Sequence, residues 1–254
     1  MSAIASISRR AARTSRGLVL ACVVAAGGLA GCQDQAAVAE QQARALAAAA
    51  ELEAGKAEVA FESAFAAGNW PLAKAQGDVL IARYPQSQAA QRIAPRHAEA
   101  QQKANAARED ARLAGLWAYQ SQPVGKRQQL SAAIYARDPV DVDGSGAKPV
   151  RLIFRDHPEW GRSSYLVLEA GDFRCAPACR VPVATDDGAP QRMAANRPKT
   201  DEAIAMFIDD QRALWRRIDG AKTLSIEFLV ASGGTRTAVF EVGGLDRAKL
   251  PGWD

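Results

Sequence analysis

The 254-residue chain has a formal net charge of +4, and four arginines within its first 16 residues account for all of that excess. In the remainder, 28 basic residues balance 28 acidic ones, so the charge gives no reason to expect a nucleic-acid partner, and none is predicted. The roughly 220 residues that follow the first segment are enough for one or two domains.

The first 31 residues have the composition of an export signal. A basic stretch without acidic residues precedes the apolar run Leu18 to Ala30. This run is too short to cross a bilayer as a stable helix, which needs about 20 apolar residues. The Arg9-Arg10 pair is not followed by the apolar residues of a twin-arginine signal, so the general secretory route is preferred.

The segment ends in Leu29-Ala30-Gly31-Cys32, which resembles the lipobox of bacterial lipoproteins. The resemblance implies that residues 1–31 are removed and that the Cys32 thiol carries fatty acyl chains, two or more of which hold a protein stably on a membrane. The predicted location is therefore the cell envelope, and Gln33 favours the outer membrane, facing the periplasm. The alternative is an ordinary cleaved signal with a cysteine there by chance.

Residues 32–115 form the next predicted region, and it is rich in alanine with Gln, Glu and Arg between. These are strong helix formers, so the region is predicted to be a helical hairpin or stalk. Its apolar stripes are thin, as at Leu46, Leu52 and Val59, which is typical of a solvated or coiled-coil-like helix. A further helix is expected from Gln88 to Gly115, with an interruption near Pro95.

Within this region, residues 57–90 resemble one tetratricopeptide (TPR) unit. Gly68-Asn69-Trp70, Ala73 and Pro85 carry the resemblance. It implies that Gly68 ends the first helix, Ala73 allows a close helix crossing and Pro85 closes the second helix. Gly77 and Phe61 depart from the family pattern, and a solenoid usually needs three units. A generic helical hairpin is the alternative.

The composition changes in residues 116–250, where aromatic and β-branched residues become frequent and turn signals recur. This pattern predicts an antiparallel, β-rich, sandwich-like domain with one helix, so the chain as a whole is predicted to be α+β in two segments. A cap at Asp209 or Asp210 and a stop at Gly220 bound the helix. The predicted strands cover residues 130–135, 150–154, 165–169, 179–183, 224–228 and 237–242.

The same C-terminal half resembles a small domain found at the end of many uncharacterised bacterial periplasmic proteins and lipoproteins. It departs from that domain at Thr185, where an aromatic residue usually precedes an Asp-Asp-Gly turn. The resemblance implies a domain boundary near Leu116 and no particular activity. The matching segments are residues 171–175, 179–183, 186–188, 206–208, 221–227 and 239–245.

Cys175 and Cys179 are the clearest candidates for a specific chemical role. In an oxidising compartment such a pair predicts a disulfide that clamps a turn between strands. The alternative is a redox or metal-binding thiol pair, but redox dithiols usually have two residues between them. The run Asp141 to Gly146 begins like a calcium loop, yet Leu152 stands where an acid is required. A hairpin turn or mobile loop is preferred there, and no metal or cofactor is predicted.

His157 and Trp160 are predicted as a speculative binding site, because charged and aromatic residues surround them in the sequence. An ordinary polar loop between strands is the alternative. His97 lies in a polar helical stretch and is expected to be solvated. Trp160, Trp215 and Trp253 offer a sugar-stacking face, although such residues more often fill a core.

No catalytic residues are predicted, and the poverty of catalytic motifs favours a non-enzymatic envelope lipoprotein. Its partners would be the membrane, through the lipid anchor, and an envelope protein contacted by the helical arm. The alternatives are a periplasmic hydrolase of envelope polymer that uses His157, and a lipoprotein that binds a small ligand or glycan.

Overall fold

The computed structural model describes residues 30–198 and 204–253, with side chains from Gln35 onward. Most of the expected signal segment and the Cys32 side chain lie outside the described residues. Three helices precede an antiparallel sheet that carries one more α-helix, which confirms the α+β class in two segments. The chain divides into two compact units after His97.

Three alanine-rich helices form the first part of the described chain. None of the helices in the described ranges is long and apolar enough to cross a membrane. Helix α1 spans Ala30–Ala66, α2 spans Trp70–Arg83 and α3 spans Gln88–Ala114.

Helices α1 and α2 form the expected hairpin. Gly68 adopts a φ of 66°, and the Asn69 side chain accepts a hydrogen bond from the backbone N–H of Leu72 at 3.2 Å, which caps α2. Phe61 and Ala73 are fully buried between the helices. The positions of Gly68 and Ala73 agree with the local roles implied by the TPR resemblance, whereas Phe61 departs from that pattern; membership of the family stays a prediction.

The first part of α3 packs on α1 through acidic residues of α1. The Glu51 carboxylate accepts from the backbone N–H groups of Gln88 and Ala89, at 3.0 and 3.3 Å, so it caps the start of α3. Glu58 binds Arg92 through two hydrogen bonds of 2.8 and 2.6 Å. These contacts join the start of α3 to the second half of α1.

Two expectations for α3 were wrong. The helix continues through Pro95 without the expected interruption, and it is held there by packing, since Ile93 and Ala100 on the two sides of the proline are fully buried. His97 is not solvated: its side chain is 14% exposed and its Nε2 lies 2.8 Å from Asp78 Oδ1. The ring lies directly over Gly77 of α2, where a side chain would collide with it.

Nine strands form one continuous antiparallel sheet in the order β1-β2-β3-β4-β7-β6-β5-β8-β9. The sequence suggested a sandwich-like domain, whereas all nine strands belong to one sheet; inward residues of both edge strands, such as Trp117 and Phe240, belong to one core cluster. The strands are β1 Trp117–Val124, β2 Arg127–Tyr135, β3 Val150–His157, β4 Gly161–Leu168, β5 Cys179–Thr185, β6 Gln191–Asn196, β7 Ala205–Ile208, β8 Leu224–Leu229 and β9 Thr235–Phe240.

All six expected strands are present, although some bounds shift by a few residues. Strands β1, β6 and β7 were not predicted. Beyond Tyr119, β1 is polar and largely exposed on both faces, so it lacks the alternation that identifies a half-buried strand. The other two are short, and β7 contains only four residues.

The core lies on one face of the sheet and is closed by helix α4, Gln211–Arg217, and by the C-terminal segment. The Asp210 side chain caps this helix by accepting from Ala213 N at 2.9 Å, as expected. Trp215 and Trp253 are buried against Phe154, with ring centroids 5.2 and 5.4 Å from it. Two of the three tryptophans considered for a sugar-stacking face are therefore core residues.

Candidate functional site

The outer face of the sheet, opposite the core, carries a groove across strands β1 to β4. Its lining encloses about 230 Å³. The strand register places one row of side chains along it, and the small residues of the row form its floor at the β1 end. The row consists of Ala118, Ala133, Ile153, Tyr165 and, on β7, Phe207.

This row becomes bulkier from the edge strand inward. Alanine stands in β1 and β2, Ile153 is buried although it lies outside the main core cluster, and the rings of Tyr165 and Phe207 are 4.8 Å apart. Successive strands in a sheet are about 4.8 Å apart, so the row runs roughly 19 Å across the strands. The backbone under it is already paired in the sheet, and a ligand would therefore be recognised by side chains.

Polar and aromatic residues form the two rims. The register aligns Gln120, Ser131 and Arg155 on one side of the floor, and Tyr135 with Arg151 on the other. Each arginine lies over a tyrosine ring: Arg151 Cζ is 5.9 Å from the centroid of Tyr135, and Arg155 Cζ is 5.2 Å from that of Tyr165. Among the described residues, no acidic side chain lines the groove.

Arg155 is the most constrained charge in the groove. Its guanidinium contacts two rings, because Cζ also lies 5.5 Å from the centroid of Trp160. Its Nε is buried and has no hydrogen-bond partner in the described part of the chain. Because Nε is closed to solvent, it is not itself a contact for a ligand in the groove; Arg155 as a whole is only partly buried, and the rest of its guanidinium is what the groove offers to an acceptor.

His157 and Trp160, the two residues singled out as a speculative binding site, lie outside the groove lining at the β3–β4 turn, where Trp160 contacts the rim residue Arg155. The His157 side chain is 6% exposed, and its Nδ1 accepts from the backbone N–H groups of Glu159 and Trp160, at 3.1 and 3.2 Å. The ring stacks on Trp160 with a centroid distance of 3.9 Å. His157 thus holds the turn, while Trp160 is 71% exposed and presents a flat apolar surface.

A larger cleft of about 610 Å³ lies within the C-terminal unit, between the end of α3 and the loops around Asp219 and Glu241. Its charges are mostly paired with one another. Arg112 binds both Glu109 and Glu241 at 2.7 Å, and these two hydrogen-bonded carboxylates raise the pKa of the guanidinium. Arg247 lies 3.5 Å from Asp219. This network joins the end of α3 to the segment around Glu241.

The cysteine pair forms the expected disulfide. Cys175 and Cys179 are joined with an S–S distance of 1.96 Å, and Cys179 begins β5, so the bridge closes the loop before that strand. The segment that begins like a calcium loop is a turn between paired residues Val140 and Lys148. Within the described ranges, no group of three or more His, Cys, Asp or Glu side chains is placed to hold a metal ion.

Comparison with known proteins gives no relative from which to read a function. No family model, no curated protein and no solved structure matches this chain. The lipobox and periplasmic-domain resemblances therefore stay predictions.

The sequence pattern indicated His157 and Trp160, which lie beside the groove, and none of the residues that line it. The missed signal was alternation in β2 and β3, where Ser131 and Ala133 share one face, as do Arg151, Ile153 and Arg155. That alternation marks a second face with its own chemistry. Only the pairing register shows that the outward-facing side chains of β2 and β3 lie next to each other.

Proposed function

We propose that this chain is a lipid-anchored protein of the bacterial cell envelope that binds partners and does not catalyse a reaction. Residues 35–49, in the first half of α1, are all exposed, and this observation carries the proposal. The stretch follows Cys32 almost directly and spans about 22 Å as a helix. A solvated helix in this place would act as a spacer between acyl chains in the outer membrane and the folded part of the protein.

The helical arm would also contact an envelope protein. Val38, Leu52 and Val59 are exposed, and their spacing in multiples of seven places them on one stripe of α1. A stripe of this kind is what a partner helix packs against. Leu72 and Val79 add exposed apolar surface on α2 of the same unit.

The geometry of His157 favours binding over hydrolysis. A general base needs a free nitrogen within reach of the proton it removes. Nδ1 of His157 already accepts two backbone N–H groups, and the ring is covered by Trp160. The hydrolase alternative depends on His157, and the contacts of this residue are those of a side chain that stabilises its own turn.

Lipid anchoring is tested by fractionation of cells that express Cys32→Ser. We expect the native protein in the membrane pellet and the variant as an unprocessed or released species. Cys22→Ser, a cysteine that the proposal removes with the signal, is the matched control and should remain lipidated. Equal membrane attachment of the native protein and Cys32→Ser would contradict the proposal.

Partner contact is tested with a photo-crosslinker placed at Leu52 or Val59. Both positions should give the same discrete adduct, and Glu53, exposed a quarter of a turn away from Leu52, should give much less. Equal labelling at all three positions, or capture of abundant envelope proteins alone, would contradict a specific contact on this stripe.

A further inference from the structure

We propose that the outer-face groove of the sheet binds a carboxylate-bearing glycan chain. The inference deepens the proposed function by giving the binding protein a ligand class. It rests on the rows of side chains across β1 to β4, on two arginines without acidic neighbours in the groove, and on the exposed ring of Trp160.

Charge selects an anionic ligand. Arg151 and Arg155 line the groove, and the described lining contains no carboxylate to neutralise them. The rings of Tyr165 and Trp160 both contact the Arg155 guanidinium, with centroids 5.2 and 5.5 Å from Cζ, and these contacts restrict its orientation. A planar guanidinium held in this way is suited to a carboxylate, which accepts from it in a forked arrangement.

The shape selects part of a long chain. A volume of about 230 Å³ is smaller than the range typical of sites that enclose a whole small molecule, which begins near 300 Å³. The row of floor residues continues to Phe207 on β7, so a chain can cross the strands at full extension. Such a ligand runs across the strands, and it therefore cannot add to the sheet as a further strand.

The side-chain chemistry selects sugars over an acidic peptide. Gln120, Gln122 and Gln129 supply amides that both donate and accept, as hydroxyl groups require. The floor has alanine at two strands and offers no deep apolar pocket for peptide side chains. Trp160 is held flat by His157 at 3.9 Å, and its exposed face fits the C–H face of a sugar ring.

The test is titration of the purified full-length protein, in detergent, with a short oligogalacturonate. Two other probes of equal length are compared with it: a neutral malto-oligosaccharide and oligoglutamate. We expect saturable binding of the oligogalacturonate that weakens as salt is added, and little binding of the other two. Preference for oligoglutamate, equal binding of the neutral sugar, or no binding of any probe would overturn the proposal.

Variants locate the site. Arg155→Gln and Arg151→Gln should each weaken binding roughly tenfold or more, because each loses a charge-assisted contact. Ala118→Glu, at an exposed floor position of the edge strand, adds an acid without disturbing the core and should abolish binding. Arg180→Gln, exposed on β5 outside the groove, is the matched control. Unchanged affinity in Ala118→Glu would place the ligand elsewhere and overturn the proposal.

This result is independent of membrane attachment. Glycan binding in detergent does not require the acyl chains, and fractionation does not require a glycan. Failure of one experiment therefore leaves the other informative.

Discussion

Two helical glycines, Gly55 and Gly77, occupy opposite kinds of environment. A Cβ at Gly55 of α1 would meet nothing within 4 Å, whereas a Cβ at Gly77 of α2 would overlap the His97 ring. Gly77→Ala should lower the free energy of unfolding by about 1–2 kcal/mol, because overpacking outweighs the gain in helix propensity. Gly55→Ala should raise it by up to about 1 kcal/mol. Denaturant unfolding measures both, and equal effects would contradict the packing assigned to His97.

Asp186 gives the protein an acid-sensitive contact. It adopts a φ of 49° and its Oδ1 accepts from the backbone N–H groups of Thr223 and Lys222, at 2.9 and 3.0 Å. The hydrogen bond from Thr223 is the largest cause that lowers the pKa of this carboxyl below 3.8, and that from Lys222 adds to it. A lowered folded-state pKa contributes stability above the unfolded pKa, and this contribution is lost as the pH falls through the folded value.

Asp186→Asn should therefore be less stable than the native protein at pH 7, and the difference should vanish once the pH is below the folded pKa of Asp186. Asparagine keeps an acceptor and tolerates positive φ, so the variant isolates the charge. Asp187→Asn, the neighbouring exposed residue, is the control and should change stability little. Thermal unfolding from pH 7 to below the folded pKa of Asp186 measures both variants. A stability difference between Asp186→Asn and the native protein that stays constant at all pH values would contradict the assignment.

At the scale of elements, the end of α3 is joined to the C-terminal sheet by a close backbone contact. Gly244, in a 3-10 helix at Val242–Gly244, leaves no room for a Cβ against the backbone of Leu113 and Ala114. Gly244→Ala should destabilise the fold by about 3 kcal/mol, since backbone cannot give way as a side chain can. Gly243→Ala meets only ordinary contacts and should be nearly neutral. Similar unfolding midpoints for the two variants would contradict this docking.

The helices and the strands with clear alternation could be predicted from sequence, and the physical reasons for the failures differ. Strand β1 is polar beyond Tyr119, so pairing with β2 and not burial makes it a strand. Pro95 was expected to interrupt α3, but burial of Ile93 and Ala100 on the two sides of the proline holds the helix in place. Local patterns carry no information on such distant partners.

The candidate site shows the same limit. Trp160 and His157 could be found because they are close in sequence. Arg155 and Tyr165 come together only through the pairing of β3 with β4, and Ala118 joins them through β1 and β2. A groove assembled from four strands depends on register, which single-strand patterns leave open.

At the scale of the whole molecule, the proposed function depends on acylation of Cys32. The proposed tether at Cys32 would give the exposed helix of residues 35–49 a purpose as a spacer, and it would hold the helical arm and the sheet groove at a membrane surface that faces the periplasm. An exported chain without acyl chains would still reach the periplasm, so the tether would decide attachment to the membrane and not the compartment.

Mass spectrometry of the mature N-terminal peptide tests this claim most directly. We expect Cys32 to be the first residue and to carry the mass of two or three acyl chains, with residues 1–31 absent. A mature protein that retains residues before Cys32, or that begins at an unmodified Cys32, would contradict the account.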